Sequence, residues 1–142
     1  MNLRLGWWFV PFAVFVIISF ANAFNITDGL DGLASGVLMI CLSAFWVLSA
    51  SILDTPLSLF IALWLGGLLA FLYFNIYPAR IFLGDVGSLS FGATLAVVGL
   101  ILGKAPALVV IGGVFVLEVA SSFIQLLSKQ FFHRKLFAAA PL

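Results

Sequence analysis

The sequence predicts an all-α protein, a polytopic transmembrane helix bundle of about five spans. Three observations carry this. Of its 142 residues, 65% are hydrophobic and 8% charged, whereas soluble domains carry roughly 25% charged residues. Mean hydropathy is +1.32, too high for a water-facing surface. The apolar residues also fall into five long stretches, Trp7–Phe24, Leu33–Leu53, Pro56–Tyr77, Leu89–Leu102 and Ala107–Leu127. Residues 1–142 read as one transmembrane domain, with no internal repeat and no low-complexity linker.

A bilayer core asks for about 20 apolar residues in a helix. Helix is the expected state because an open sheet leaves backbone groups unpaired in lipid. The first stretch runs directly into a polar motif and lacks the small-residue cleavage site of a secretory signal. The second holds the single cysteine, Cys41, which reads as a small buried hydrophobe; one cysteine makes neither an intrachain disulfide nor a cysteine metal site. Asp54-Thr55-Pro56 is the turn that starts the third helix, with proline in its first turn. Tyr77-Pro78 ends that helix. The fourth stretch is short and borrows Val86–Ser88. Gly103–Pro106 separates it from the fifth.

Five alternating spans place Arg4 and Lys104 on one side of the membrane, and Arg80, Lys129, Arg134 and Lys135 on the other. The positive-inside rule makes the second side cytoplasmic. Asp28, Asp31 and Asp85 fall on that side and Asp54 on the opposite one, so three carboxylates from two loops share a membrane face. Trp7, Trp8, Tyr73 and Tyr77 read as interfacial aromatics. A net charge of +1 is uninformative about partners, and no nucleic-acid partner is expected.

Two constellations can carry chemistry. In Asn22-Ala-Phe-Asn25-Ile-Thr-Asp28-Gly-Leu-Asp31-Gly32, polar groups recur every three residues, which is one slowly rotating helix face. Glycines at 29 and 32 favour a tight loop that a ligand can approach closely. Carboxylates beside an apolar span are costly unless they function. The alternative is that Thr27 or Asp28 caps the next helix and Asn22 bonds a neighbour. In Phe82-Leu-Gly84-Asp85-Val-Gly87-Ser88, an aspartate flanked by glycines suits a phosphate or a metal. Asp85 is a hard oxygen donor, right for magnesium; Asp85 or Ser88 as a plain N-cap is the alternative. Neither motif is a Walker loop or a dinucleotide fingerprint. Glu118 lies within the fifth span, either functional or bonded to a neighbouring helix. Gln125 reads as a contact between helices. His133 sits in a basic tail that reads as an orientation signal or a contact for anionic headgroups.

The segments NAFNITDGLDGLASG, FLYFNIYPARIFLGDVGSLSFG, IGGVFVLEV and KLFAAAPL, in this order, resemble the polyprenyl-phosphate N-acetylhexosamine-1-phosphate transferases. They are most similar to the phospho-N-acetylmuramoyl-pentapeptide transferase branch. The resemblance implies transfer of a phospho-sugar from UDP-N-acetylmuramoyl-pentapeptide (UDP-MurNAc-pentapeptide) to undecaprenyl phosphate, giving lipid I and UMP at a cytoplasmic, Mg2+-dependent site. It matches Asp85 to the metal-binding aspartate, and Asp28 and Asp31 to essential aspartates of the uridine and phosphate region. Asn25, Gly29 and Leu30 match residues lining the nucleotide pocket. Phe82 matches an aromatic that stacks on uracil. It further implies a multi-pass protein of the bacterial inner membrane; a homodimer is a further expectation, as family members are often dimers.

Family members have about twice as many spans as this chain, an Asp-Asp pair in their earlier half, and a histidine-rich motif that would begin near Leu142. The chain is therefore expected to be part of a larger enzyme and inactive alone. Two other readings stand beside this one. An N-acetylglucosamine-1-phosphate transferase would share both aspartate motifs. A transporter or non-catalytic membrane subunit would use Glu118 and the asparagines as an ion path, but leaves the one-sided aspartates unexplained.

Overall fold

A computed structural model describes residues 6–132. Arg4, His133, Arg134 and Lys135 lie outside the described residues. A single 3-10 turn, Gly6–Trp8, leads into six helices: α1 Phe9–Thr27, α2 Leu33–Ser51, α3 Thr55–Asn75, α4 Gly84–Ile101, α5 Ala105–Ile111 and α6 Gly113–Phe132. There is no strand among the described residues. Four helical segments, starting at Gly6, Leu33, Thr55 and Gly84, are long and apolar enough to cross a membrane. A 19-residue helix such as α1 rises about 28 Å, close to the bilayer's hydrocarbon thickness.

The fifth predicted span is divided. Pro106 lies in the first turn of α5, and the Gly112-Gly113 pair breaks the helix before α6. Each glycine costs a helix about 1 kcal/mol relative to alanine, and glycine pairs are common kink sites. Backbone bonds from Gly112 N–H to the Leu108 carbonyl (2.8 Å) and from Val116 N–H to the Gly112 carbonyl (3.1 Å) carry the chain through. The break is a local kink within one apolar run, which hydropathy alone does not register.

Helix α1 packs along α4 and carries α6 on another flank, while α2 and α3 form an antiparallel hairpin joined to α4 through α2. The α1–α4 approach depends on Gly92. A Cβ there would overlap the Phe20 carbonyl oxygen and stand 2.8 Å from the Ala21 Cα, so only glycine lets the two backbones meet. Around this contact Phe24, Phe45, Phe115, Leu38, Ile61 and Leu95 are fully buried. Phe91 makes T-shaped pairs with Phe24 (ring centroids 6.0 Å apart) and Trp64 (4.9 Å), a favoured aromatic geometry. Cys41 is free and buried, its thiol donating to the Ile111 carbonyl at 3.1 Å.

Candidate functional site

The polar site lies where four helix ends meet: the C-termini of α1 and α3 and the N-termini of α2 and α4. Alternation of the spans requires this, and long-range bonds establish it. Asn25, near the end of α1, donates through Nδ2 to the Ser88 Oγ (2.7 Å) and to the Asp85 Oδ1 (3.3 Å) in the first turns of α4. The two sequence constellations, 60 residues apart, are therefore in direct contact.

The plain capping alternatives do not describe this end. Helix α2 has Gly32 as its N-cap, at φ +75° and with no side-chain cap. Thr27 instead donates to the Ala23 carbonyl of its own helix at 2.8 Å. Asp28 is the C-cap of α1, its N–H bonded to the Phe24 carbonyl. At α4 the N-cap is Leu83, again without a side-chain bond, and the Ser88 hydroxyl donates to the Asp85 backbone carbonyl at 3.2 Å. Asn22 bonds within α1, to the Ile18 carbonyl at 2.8 Å, rather than across to another helix. The every-third polar register thus runs on helix as far as Thr27 and finishes in a turn. That turn calls for glycine at position 32, whose φ of +75° lies in the left-handed region that side chains disfavour.

Asn75 fastens the two loops, and nothing in the sequence marked it beyond an asparagine in the last turn of an apolar helix. It is buried. Its Oδ1 accepts from the Gly32 N–H (3.1 Å) and the Ser35 hydroxyl (2.7 Å), and its Nδ2 donates to the Ile81 carbonyl (3.0 Å). Asp31 adds a second fastening, its Oδ2 accepting from the Ala79 N–H at 3.0 Å. In the same loop Arg80 N–H bonds the Phe74 carbonyl at 2.8 Å. The 76–83 segment is thus held against the 28–32 turn by side chains from both flanks.

The remaining predicted residues border this junction. Gly29, Leu30, Phe82 and Asp85 are exposed, while Asn25, Asp28 and Asp31 are half-buried. Partial burial raises the Asp28 carboxyl above the usual carboxylate range. Leu30 and Phe82, 68% and 69% exposed, offer apolar surface on either loop. Across the bundle, Asp54 caps α3 as expected, Oδ1 accepting from the Leu57 N–H at 3.2 Å. Glu118 is buried within α6.

Among the described residues, no group of three or more His, Cys, Asp or Glu side chains could hold a metal ion. That describes a protein-only cage. Magnesium usually keeps water and takes only one or two carboxylates, with phosphate oxygens supplying further ligands. Asp85, exposed and oriented by Asn25, fits that lighter requirement.

The profile of glycosyl transferase family 4 matches residues 1–103, a stretch that contains both polar motifs. The chain belongs to glycosyl transferase family 4. Its relatives include phospho-N-acetylmuramoyl-pentapeptide-transferases from three bacteria. That of Acetivibrio thermocellus is 43% identical over 142 residues, 99% of this chain and 43% of the relative. That of Desulforudis audaxviator is 42% identical over 143 residues, 100% of this chain and 43% of the relative. That of Brachyspira hyodysenteriae is 43% identical over 150 residues, 94% of this chain and 39% of the relative. The chain spans less than half the length of the relatives it matches, and the family 4 profile covers its first four helices.

Proposed function

We propose that this chain supplies the nucleotide and metal half of a transferase that moves phospho-MurNAc-pentapeptide from its UDP-linked donor to undecaprenyl phosphate, giving lipid I and UMP. The observation that carries the reading is the Asn25–Asp85–Ser88 contact, which joins the two motifs into one polar junction at the end of an otherwise apolar bundle. The relatives' shared name supports the muramoyl donor over a simple N-acetylglucosamine one.

Asp85 would hold Mg2+, which when bound neutralises the donor diphosphate and stabilises charge as the phosphoryl group moves. Asn25 keeps the Asp85 carboxylate oriented. Asp31 holds the 76–83 loop through Ala79 N–H, which places Phe82 for stacking on uracil beside Gly29 and Leu30. Asp28, half-buried at the end of α1, takes a place in the phosphate region. An apolar groove of about 650 Å³ between α1, α5 and α6, lined by Phe12, Phe15, Phe115 and Phe123 among others, suits the acceptor's hydrocarbon chain.

The protein sits in the bacterial inner membrane with the 28–32 and 76–83 loops facing the cytoplasm, and works as a homodimer. A Leu30→Cys variant should react with a membrane-impermeant maleimide only from the cytoplasmic side. Buried Cys41 supplies little background.

Transfer itself is tested by replacing the matching segment of the Acetivibrio thermocellus transferase with this chain. The chimera should release UMP from UDP-MurNAc-pentapeptide only with Mg2+ and undecaprenyl phosphate. Asp85→Asn should lower the rate by about 10²–10³-fold, the usual cost of losing one preorganised charge stabiliser. The isolated chain should form no lipid I. A folded chimera without activity, or one that prefers UDP-N-acetylglucosamine, would overturn the assignment.

A further inference from the structure

We infer that Ser88 is a positioning residue that fixes the metal-binding carboxylate of Asp85 through Asn25. The inference rests on the reading of Asp85 as the Mg2+ ligand and adds a residue to it. Asp85 is exposed in the first turn of α4, so packing does little to select its rotamer. Its side-chain contact to Asn25 is long, 3.3 Å, whereas the bond from the same Nδ2 to Ser88 is 2.7 Å and part-buried. The shorter bond determines where the amide sits, and the carboxylate follows it.

The donors and acceptors assign themselves. An ionised carboxylate only accepts, so the Asn25 NH₂ must face Asp85. That same nitrogen donates to Ser88, leaving the serine's single hydrogen for the Asp85 backbone carbonyl at 3.2 Å. Ser88 is 1% exposed, so no water replaces it readily. It thus contacts Asp85 at the backbone directly and at the carboxylate through Asn25, closing a ring across α1 and α4. In Ser88→Ala the amide keeps only the long bond. Asn25 can then turn toward the carbonyls of its own helix, as Asn22 already does, and the carboxylate swings free.

Groups one bond removed from a metal typically control about 10- to 100-fold in affinity. The test uses the full chain in detergent micelles and Mn2+ as a paramagnetic stand-in, with free Mn2+ followed by electron paramagnetic resonance. Wild type should bind saturably and Asp85→Asn should not. Ser88→Ala and Asn25→Ala should each weaken binding by about 10-fold or more. The double variant should bind no worse than Asn25→Ala, because both substitutions break one linkage, and Ser88→Thr, which keeps the hydroxyl, should recover most of the affinity. If wild type and Asp85→Asn bind Mn2+ equally, or neither binds, the metal reading fails and this inference with it. If that pair differs while Ser88→Ala matches wild type, or the two alanine effects multiply, the inference alone is overturned. Helical circular dichroism of each variant separates these outcomes from misfolding.

Discussion

Replacing Asn75 by alanine should destabilise the bundle more than any single polar substitution on its surface. The side chain makes three bonds, to the Gly32 N–H, the Ser35 hydroxyl and the Ile81 carbonyl, at 2.7–3.1 Å. Each is worth about 1 kcal/mol net, and each buried partner left unpaired costs about 1–3 kcal/mol. Asn75 is 3% exposed and Ser35 is 0% exposed, so water does not easily fill the gap. The sum is about 3 kcal/mol as a floor. Ser35→Ala, which removes one bond, should cost about 1 kcal/mol. Asn75→Asp keeps both accepted bonds but sets a carboxylate oxygen against the Ile81 carbonyl, so it should fall nearer to alanine than to wild type. Equilibrium unfolding in mixed micelles measures all three. An Asn75→Ala loss below about 0.5 kcal/mol, or one no larger than that of Ser35→Ala, would refute the claim that one amide joins the two loops.

Gly92→Ala should cost about 1–3 kcal/mol or prevent folding, because the new Cβ meets the α1 backbone; the same unfolding assay reads it. Asp28→Asn should stabilise the chain at neutral pH while reducing transfer by the chimera. The sign follows from burial: the folded-state pKa is raised, so the folded protein binds the proton more tightly, and wild-type stability falls as pH rises from the ordinary value of about 3.9 through the raised one. The melting-temperature gain of Asp28→Asn should therefore be near zero in strong acid and reach a plateau above the raised value. Phe82→Leu keeps apolar bulk but loses the ring face, and should weaken UMP binding by about 5- to 100-fold, the range for one base–aromatic stack, leaving unfolding unchanged.

Hydropathy made the spans legible because lipid leaves the backbone no alternative to a helix, and the Asp54 cap was legible because an Asp-Thr-Pro start has one common geometry. Alternation of spans was enough to place Asp28, Asp31 and Asp85 at one end. Pairings across 40 or more residues were not legible. The Asn25–Ser88 and Asn75–Ser35 bonds depend on the rotation of each helix about its axis. An apolar-all-round helix does not encode that rotation, since lipid and protein neighbours suit the same side chains. Asn75 went unmarked for this reason. The Gly112 kink was hidden by a related effect: the two glycines are visible, but the surrounding apolar run is continuous.

The way the helix starts at the polar junction are finished bears, on the proposed reading, on how an anionic donor is admitted. At the far end α3 is capped by Asp54, while α1 and α5 begin without a side-chain cap, α5 with a proline in its first turn, which has no N–H to satisfy. At the polar junction α2 and α4 begin without any side-chain cap. The Gly32 N–H is taken by Asn75 and the Leu33 N–H by the Leu30 carbonyl, but the positive dipole ends of both helices face the junction, which favours phosphate oxygens there. Yet Asp28, Asp31 and Asp85 share that end and would repel a diphosphate. Uncapped helix starts contribute only about half a charge each, which does not offset three carboxylates. A divalent cation on Asp85 would shift the balance, and Arg80 on the adjoining loop would add to it. On the proposed reading, the metal is needed for the donor to enter at all, before any effect on the transfer step. Donor affinity and turnover should then fall together when Mg2+ is withdrawn.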